Sequence, residues 1–223
     1  MVDTTESANT RGGGVQITRL HWAIALAPLM LVVPAHMLVD ARVAQWARGE
    51  QLQKSAAIQA ATEIGESTWW LVGAAVLFAG FAIAKKHNAA RWAFAFFVAI
   101  AGSGLAGNLL KLIFGKARPE KLFEAGFFGF TPFSYGHDVN SFPSGHATTF
   151  GALAMMFALL SPRFRWVCIA LGAAGVSTRV LIQAHYVSDV CAGFSLGMVG
   201  ALAVFVVWRR RWPTSVPVRG QWV

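Results

Sequence analysis

Two histidines, one acid and three cations stand in this sequence where apolar residues would be expected. The first group is Lys111 and, seven residues on, Arg118-Pro119. On one helix, residues seven apart share a face, two turns from each other, and Pro119 would then stop that helix. The second group is Phe142-Pro143-Ser144-Gly145-His146. Ser144 suits an N-cap, Gly145 lets backbone approach a ligand, and the first free N–H groups of a following helix suit an anion. The third runs from Thr178-Arg179 to His185 and Asp189. Four residues apart, His185 and Asp189 can meet on one helical face. A carboxylate on one ring nitrogen fixes the tautomer and makes the other nitrogen the better nucleophile.

Each group has a plain alternative: cations snorkelling to headgroups, an ordinary helix cap, a structural His–Asp pair. Their setting weakens those alternatives. The chain has 223 residues, 56% hydrophobic and only 13% charged, against roughly 25% charged in ordinary globular domains. The apolar residues come in blocks, and a membrane-crossing helix needs ~20 of them. Ionisable residues within such blocks are costly and mark functional sites.

Six spans are predicted: His21–Val39, Thr68–Ala84, Trp92–Ile113, Ala147–Leu160, Arg165–Leu181 and Val187–Trp208. The fold class is therefore all-α, a six-transmembrane bundle occupying residues 21–208. A polar tail, 1–20, precedes it and a basic tail, 209–223, follows. The fourth span is the shortest and gains length if it starts at Gly145. Backbone groups in lipid must pair internally, so these runs are read as helices. Trp22, Trp69, Trp70, Trp92, Trp166 and Trp208 mark the span ends as an interfacial belt. Arg11 and Arg19 before the first span raise a signal-peptide reading. That span is longer than a usual signal core and more spans follow, so it is read as an uncleaved first helix. Asp40–Ser67 mixes Val43, Trp46, Leu52 and Ile58 with charges, which predicts one or two short amphipathic helices on the outer membrane surface. The glycines of 102–107 and 172–175 are read as helix-packing residues, and Cys168 and Cys191 as small packing residues.

With six spans both termini share one side, which carries eleven Lys and Arg against eight on the other. The bias sharpens once Lys111, Arg118 and Arg179 are set aside as functional. The positive-inside rule then puts the termini in the cytoplasm. All three groups fall on the opposite, extracytoplasmic side, which argues for one site. The net charge of +9 fits an anionic substrate or lipid surface better than nucleic acid, because the basic residues cluster at span ends. Three cations, a hydroxyl, helix-end amides, two histidines and an acid form an inventory for phosphoryl transfer. No carboxylate cluster near the motifs suits two metals; Glu120, Glu124 and Asp138 are read as solvated loop charges, and His137 as a loop residue.

The pattern Lys-x6-Arg-Pro, Pro-Ser-Gly-His, Arg-x5-His-x3-Asp resembles the type 2 phosphatidic acid phosphatase (PAP2) family, over all three family motifs and most of the chain. One departure is Thr178, where the family usually has Ser. The resemblance implies a metal-independent membrane phosphatase without cofactor. It implies His185 as nucleophile forming a phosphohistidine, Asp189 as its orienting acid, and His146 as general acid and later helper of the attacking water. It implies Lys111, Arg118, Arg179, Ser144 and Gly145 as the phosphate cradle. The substrate would be an isoprenyl diphosphate or glycerophospholipid phosphate, or alternatively a lipid A phosphate. A non-enzymatic lipid transporter is the reading from another class, and vanadium haloperoxidases share the motifs but are soluble. The expected location is a bacterial inner membrane.

Overall fold

In the computed structural model, residues 17–134 and 136–212 are described. Most of both tails, with Arg11 and Arg219, therefore lies outside the described residues. Among those residues the structure is helical, with no strand beyond an isolated bridge between Lys116 and Phe130. Five helical segments are long and apolar enough to cross a membrane: Arg19–Leu38, Ala56–Ile83, His87–Phe114, Pro162–Leu181 and Val187–Arg211. The predicted fourth span is helix Gly145–Leu160, apolar but only 16 residues.

The first span is two helices, α1 (Arg19–Met30) and α2 (Val32–Leu38), parted at Leu31. Pro28 and Pro34 remove two backbone donors and account for the break. Asp40–Ser67 forms α3 (Asp40–Gly49) and α4 (Ala56–Glu63), joined by a short 3-10 turn. Then follow α5 (Ser67–Ile83), α6 (His87–Phe114), α7 (Pro119–Ala125), α8 (Gly145–Leu160), α9 (Arg165–Leu181) and α10 (Val187–Arg211). α10 runs three residues past the predicted end, taking Arg209, Arg210 and Arg211 out of the basic tail.

The centre of the bundle is the α8–α10 pair, flanked by α1, α6 and α9. The short α8 is buried along most of its length, while α1, α5 and α9 turn large apolar side chains outward. The reason α8 and α10 lie so close is glycine. A Cβ on Gly197 would stand 2.0 Å from the Thr148 carbonyl oxygen, and one on Gly193 would stand 2.4 Å from that of Ser144. Side chains there would force the helices apart and with them the second and third motifs. The predicted packing glycines divide: Gly172 and Gly175 press on Phe194 and Phe150, whereas Gly102 and Gly104 face open space. The tryptophan belt also needs one correction. Trp69 and Trp166 are exposed, but Trp208 is buried and packs on Trp212; it belongs to the core because α10 is the central helix.

Candidate active site

The first motif does not lie on one helix. α6 ends at Phe114, and Gly115 caps it in the left-handed conformation at φ 55°, where its N–H reaches the Lys111 carbonyl. Glycine is the usual residue for that cap. A Cβ there would also meet the Thr131 carbonyl at 1.9 Å. Lys111 therefore sits on the last turn of α6, and Arg118 is the extended N-cap of α7. Pro119 opens α7 rather than stopping α6, as its fixed φ suits a first helical position. The expectation of a shared helical face is thus replaced by a turn that brings the two cations together from two helices.

The second motif sits as its residue types require. Ser144 caps α8, its Oγ accepting from the Ala147 N–H at 3.4 Å, and its own N–H donates to the Asp189 carbonyl at 3.1 Å. Lys111 Nζ lies beside Gly145, 3.7 Å from where a Cβ would stand. His146 is on the first turn of α8, half-buried, with Nε2 3.5 Å from Glu66 Oε2. Glu66 caps α5.

In the third motif, His185 precedes α10 instead of lying on it. The chain after α9 folds back so that the N–H groups of Ala184 and His185 donate to the Arg179 carbonyl. Asp189 is on the first turn of α10 and accepts from the Tyr186 N–H at 2.9 Å. His185 Nδ1 and Asp189 Oδ2 are 3.8 Å apart, too far for a direct hydrogen bond. Ser141 fills the gap. Its hydroxyl donates to Asp189 Oδ2 at 2.5 Å and stands 3.4 Å from His185 Nδ1. The chain His185–Ser141–Asp189 engages Nδ1.

Electrostatics bind the three motifs into one site. Lys111, Arg118 and Arg179 all act on His185, and the same three act on His146 together with Glu66. Burial first, then these cations, hold the His185 pKa well below its ordinary value, so the ring is neutral at neutral pH. Arg179 donates to Thr62 Oγ1 at 3.1 Å. Yet the Nε atoms of Arg118 and Arg179 are both buried without a hydrogen-bond partner. Two guanidinium groups with orphaned buried donors, beside a lysine and a helix N-terminus, have the chemistry to receive an anion. All eight predicted site residues are brought into this one cluster. Thr178 differs: its hydroxyl is spent on the Gly175 carbonyl at 2.6 Å, so it works inside its own helix.

Three residues of the site were not anticipated. Ser141 has no spacing signal, since it only precedes the second motif. Lys116 and Asp40 are not among the residues of the three motif patterns, but they are 1% exposed each, and Lys116 bridges Asp40 and Asp189. A lysine five residues after Lys111, inside the first motif, was the one available hint.

The profile of the PAP2 superfamily matches residues 92–213, a stretch holding all three motifs. The chain belongs to the PAP2 superfamily. Its relatives include the lipid A 1-phosphatase of Rhizobium johnstonii, 35% identical over 212 residues, covering 90% of this chain and 86% of that protein. A lipid A 1-phosphatase of Rhizobium etli is 40% identical over 160 residues, 67% of this chain and 69% of its own. A bacitracin transport permease protein of Bacillus licheniformis matches 70 residues at 36% identity, 31% of this chain and 34% of its own. No solved structure matches. With PAP2 membership, apolar spanning helices and relatives of this kind, the protein is a membrane lipid phosphatase.

Proposed function

We propose that this PAP2 enzyme removes the 1-phosphate of lipid A, with His185 as nucleophile and the pocket opening at the outer face of a bacterial inner membrane. The observation that carries the chemistry is the setting of His185, its Nδ1 beside Ser141 and Asp189 and its ring among Lys111, Arg118 and Arg179. Lysine and guanidinium groups would hold the phosphoryl oxygens, with the Gly145 amide and Ser144 completing the cradle. Nε2 attacks phosphorus and the P–O bond to the lipid breaks. His146 gives its proton to the departing lipid oxygen. Water then attacks the phosphohistidine, His146 takes its proton, and inorganic phosphate leaves with Nε2 restored.

The substrate assignment rests on the two lipid A 1-phosphatases, which cover most of the chain, and puts the lipid A phosphate ahead of the isoprenyl diphosphate and glycerophospholipid phosphate expected from the motif resemblance. In the proposed topology α8 is a sixth, buried crossing. At 16 residues it spans ~24 Å, short of the ~30 Å hydrocarbon core, and in this reading its N-terminus lies below the outer headgroups, within reach of a phosphate on a lipid. Both termini then face the cytoplasm.

A panel of lipid A, phosphatidic acid, phosphatidylglycerol phosphate and an isoprenyl diphosphate, each presented to purified enzyme in detergent, tests the assignment. Lipid A should lose its 1-phosphate with a kcat/KM at least tenfold above the others. Hydrolysis of the isoprenyl diphosphate with lipid A untouched would refute it.

A further inference from the structure

Directly behind the nucleophile lies a buried ionic cluster that the hydrolytic steps do not use. Lys116 Nζ is 2.8 Å from Asp40 Oδ2, 2.9 Å from Asp189 Oδ1 and 2.6 Å from Ser188 Oγ. Asp40 in turn accepts from the Ser188 N–H at 2.9 Å and its hydroxyl at 2.5 Å. The rings of Phe128, Phe130, Phe142 and Tyr186 stand 5.9, 5.8, 5.9 and 4.7 Å from the ammonium. Such clusters are poor devices for stability, since well-packed apolar residues often serve as well or better. In a membrane protein, buried charge of this kind marks function.

Its connection to the chemistry is through the two oxygens of Asp189. Oδ1 faces Lys116, while Oδ2 takes the Ser141 hydroxyl and the Tyr186 N–H. We propose that Lys116, clamped by Asp40 and Ser188, is a positioning residue for hydrolysis: its ammonium holds Asp189 as an oriented carboxylate. This rests on the reading of His185 as nucleophile. While Asp189 is ionised, Ser141 must donate to it, and Ser141 Oγ then accepts the Nδ1 proton of His185. The Nε2 lone pair is left for phosphorus. Without the ammonium, a buried carboxylate takes up a proton at neutral pH. As an acid it donates to Ser141, whose hydroxyl turns to donate to Nδ1. The imidazole proton then belongs on Nε2, and the nucleophile is blocked.

The groups facing Asp189 are Lys116, Asp40, His185 and Tyr186, with Lys111 and Arg118 acting from further off. Cys191 on α10 also feels its charge, and His36 touches Asp40 at 3.4 Å. Among them only Lys116 places a cation against the carboxylate.

The test compares Lys116→Met, Lys116→Arg and the double variant Asp40→Asn/Lys116→Met as purified proteins. kcat and KM are measured from pH 5.5 to 9 on a lipid phosphate that the wild type hydrolyses. The double variant removes one charge of each sign, so it keeps the net buried charge and guards against misfolding of the single variant. Both ammonium-free proteins should lose at least tenfold in kcat at pH 7, hold KM within threefold, and recover as the pH rises, their acidic limb moved up by a unit or more. Lys116→Arg should keep the wild-type limb. An active wild type with an unmoved limb in either ammonium-free variant overturns this inference alone. A wild type inactive on every lipid phosphate overturns the functional reading as well.

Discussion

Ser141→Ala is the perturbation that isolates the hydrogen-bond chain from the residues of the motifs. Ser141 is fully buried, and its hydroxyl is the link between Asp189 Oδ2 at 2.5 Å and His185 Nδ1 at 3.4 Å. A hydrogen bond to a charged group contributes about 1.5–3 kcal/mol. Each ~1.4 kcal/mol is a factor of ten in rate, so complete loss of its effect on the transition state corresponds to a fall in kcat of about 10- to 150-fold. Direct contact between His185 and Asp189 limits the fall if the 3.8 Å gap closes by about 1 Å, the distance to a normal hydrogen bond, which puts the expected loss near the lower end, about 10- to 30-fold. KM should change little, because Ser141 faces the back of the imidazole and not the phosphate. Steady-state hydrolysis in detergent gives both numbers, and thermal unfolding shows whether the fold survives. A folded variant with kcat within twofold of wild type would refute the relay.

Three further outcomes follow from the geometry. Gly197→Ala places a methyl against backbone on α8 and should cost about 1–3 kcal/mol, seen as a lower thermal midpoint, whereas Gly102→Ala, which meets open space, should leave the midpoint unchanged or slightly raised. The folded protein keeps His185 neutral to well below its ordinary pKa, while the unfolded chain protonates it near ~6.5. The unfolded state therefore binds the extra proton as the pH falls through that value, so stability should drop on acidification, and His185→Asn should flatten that slope in detergent melts at pH 5–7.5. In the proposed mechanism lysine and arginine donors fill the charge-stabilising role, so turnover should persist in excess EDTA and be blocked by vanadate; loss of activity on chelation would require a metal-based mechanism instead.

What the sequence disclosed depended on whether the relevant interaction was local. Hydropathy exposed the spans because each buries or exposes a whole apolar block. The capping role of Ser144 was legible because cap and helix adjoin. The break at Gly115 was also local, yet spacing alone misread it: a seven-residue interval looks like one helical face until the glycine is given its left-handed turn. Ser141, Lys116 and Asp40 were not legible for a different reason. Lys116 and Asp40 are 76 residues apart, and Asp40 and Ser188 are 148 apart. Their value arises only when α3 and the turn after α6 close on the start of α10. The break at Leu31, between Pro28 and Pro34 in the first span, was similarly hidden by hydropathy, which averages over it.

The central claim is that His185 carries the phosphoryl group between the two half-reactions. Wild-type enzyme incubated briefly with lipid labelled in its phosphate, then quenched in alkali, should hold label in a base-stable, acid-labile linkage on the peptide containing His185. Full turnover with no such label, or label on His146 instead, would contradict the account.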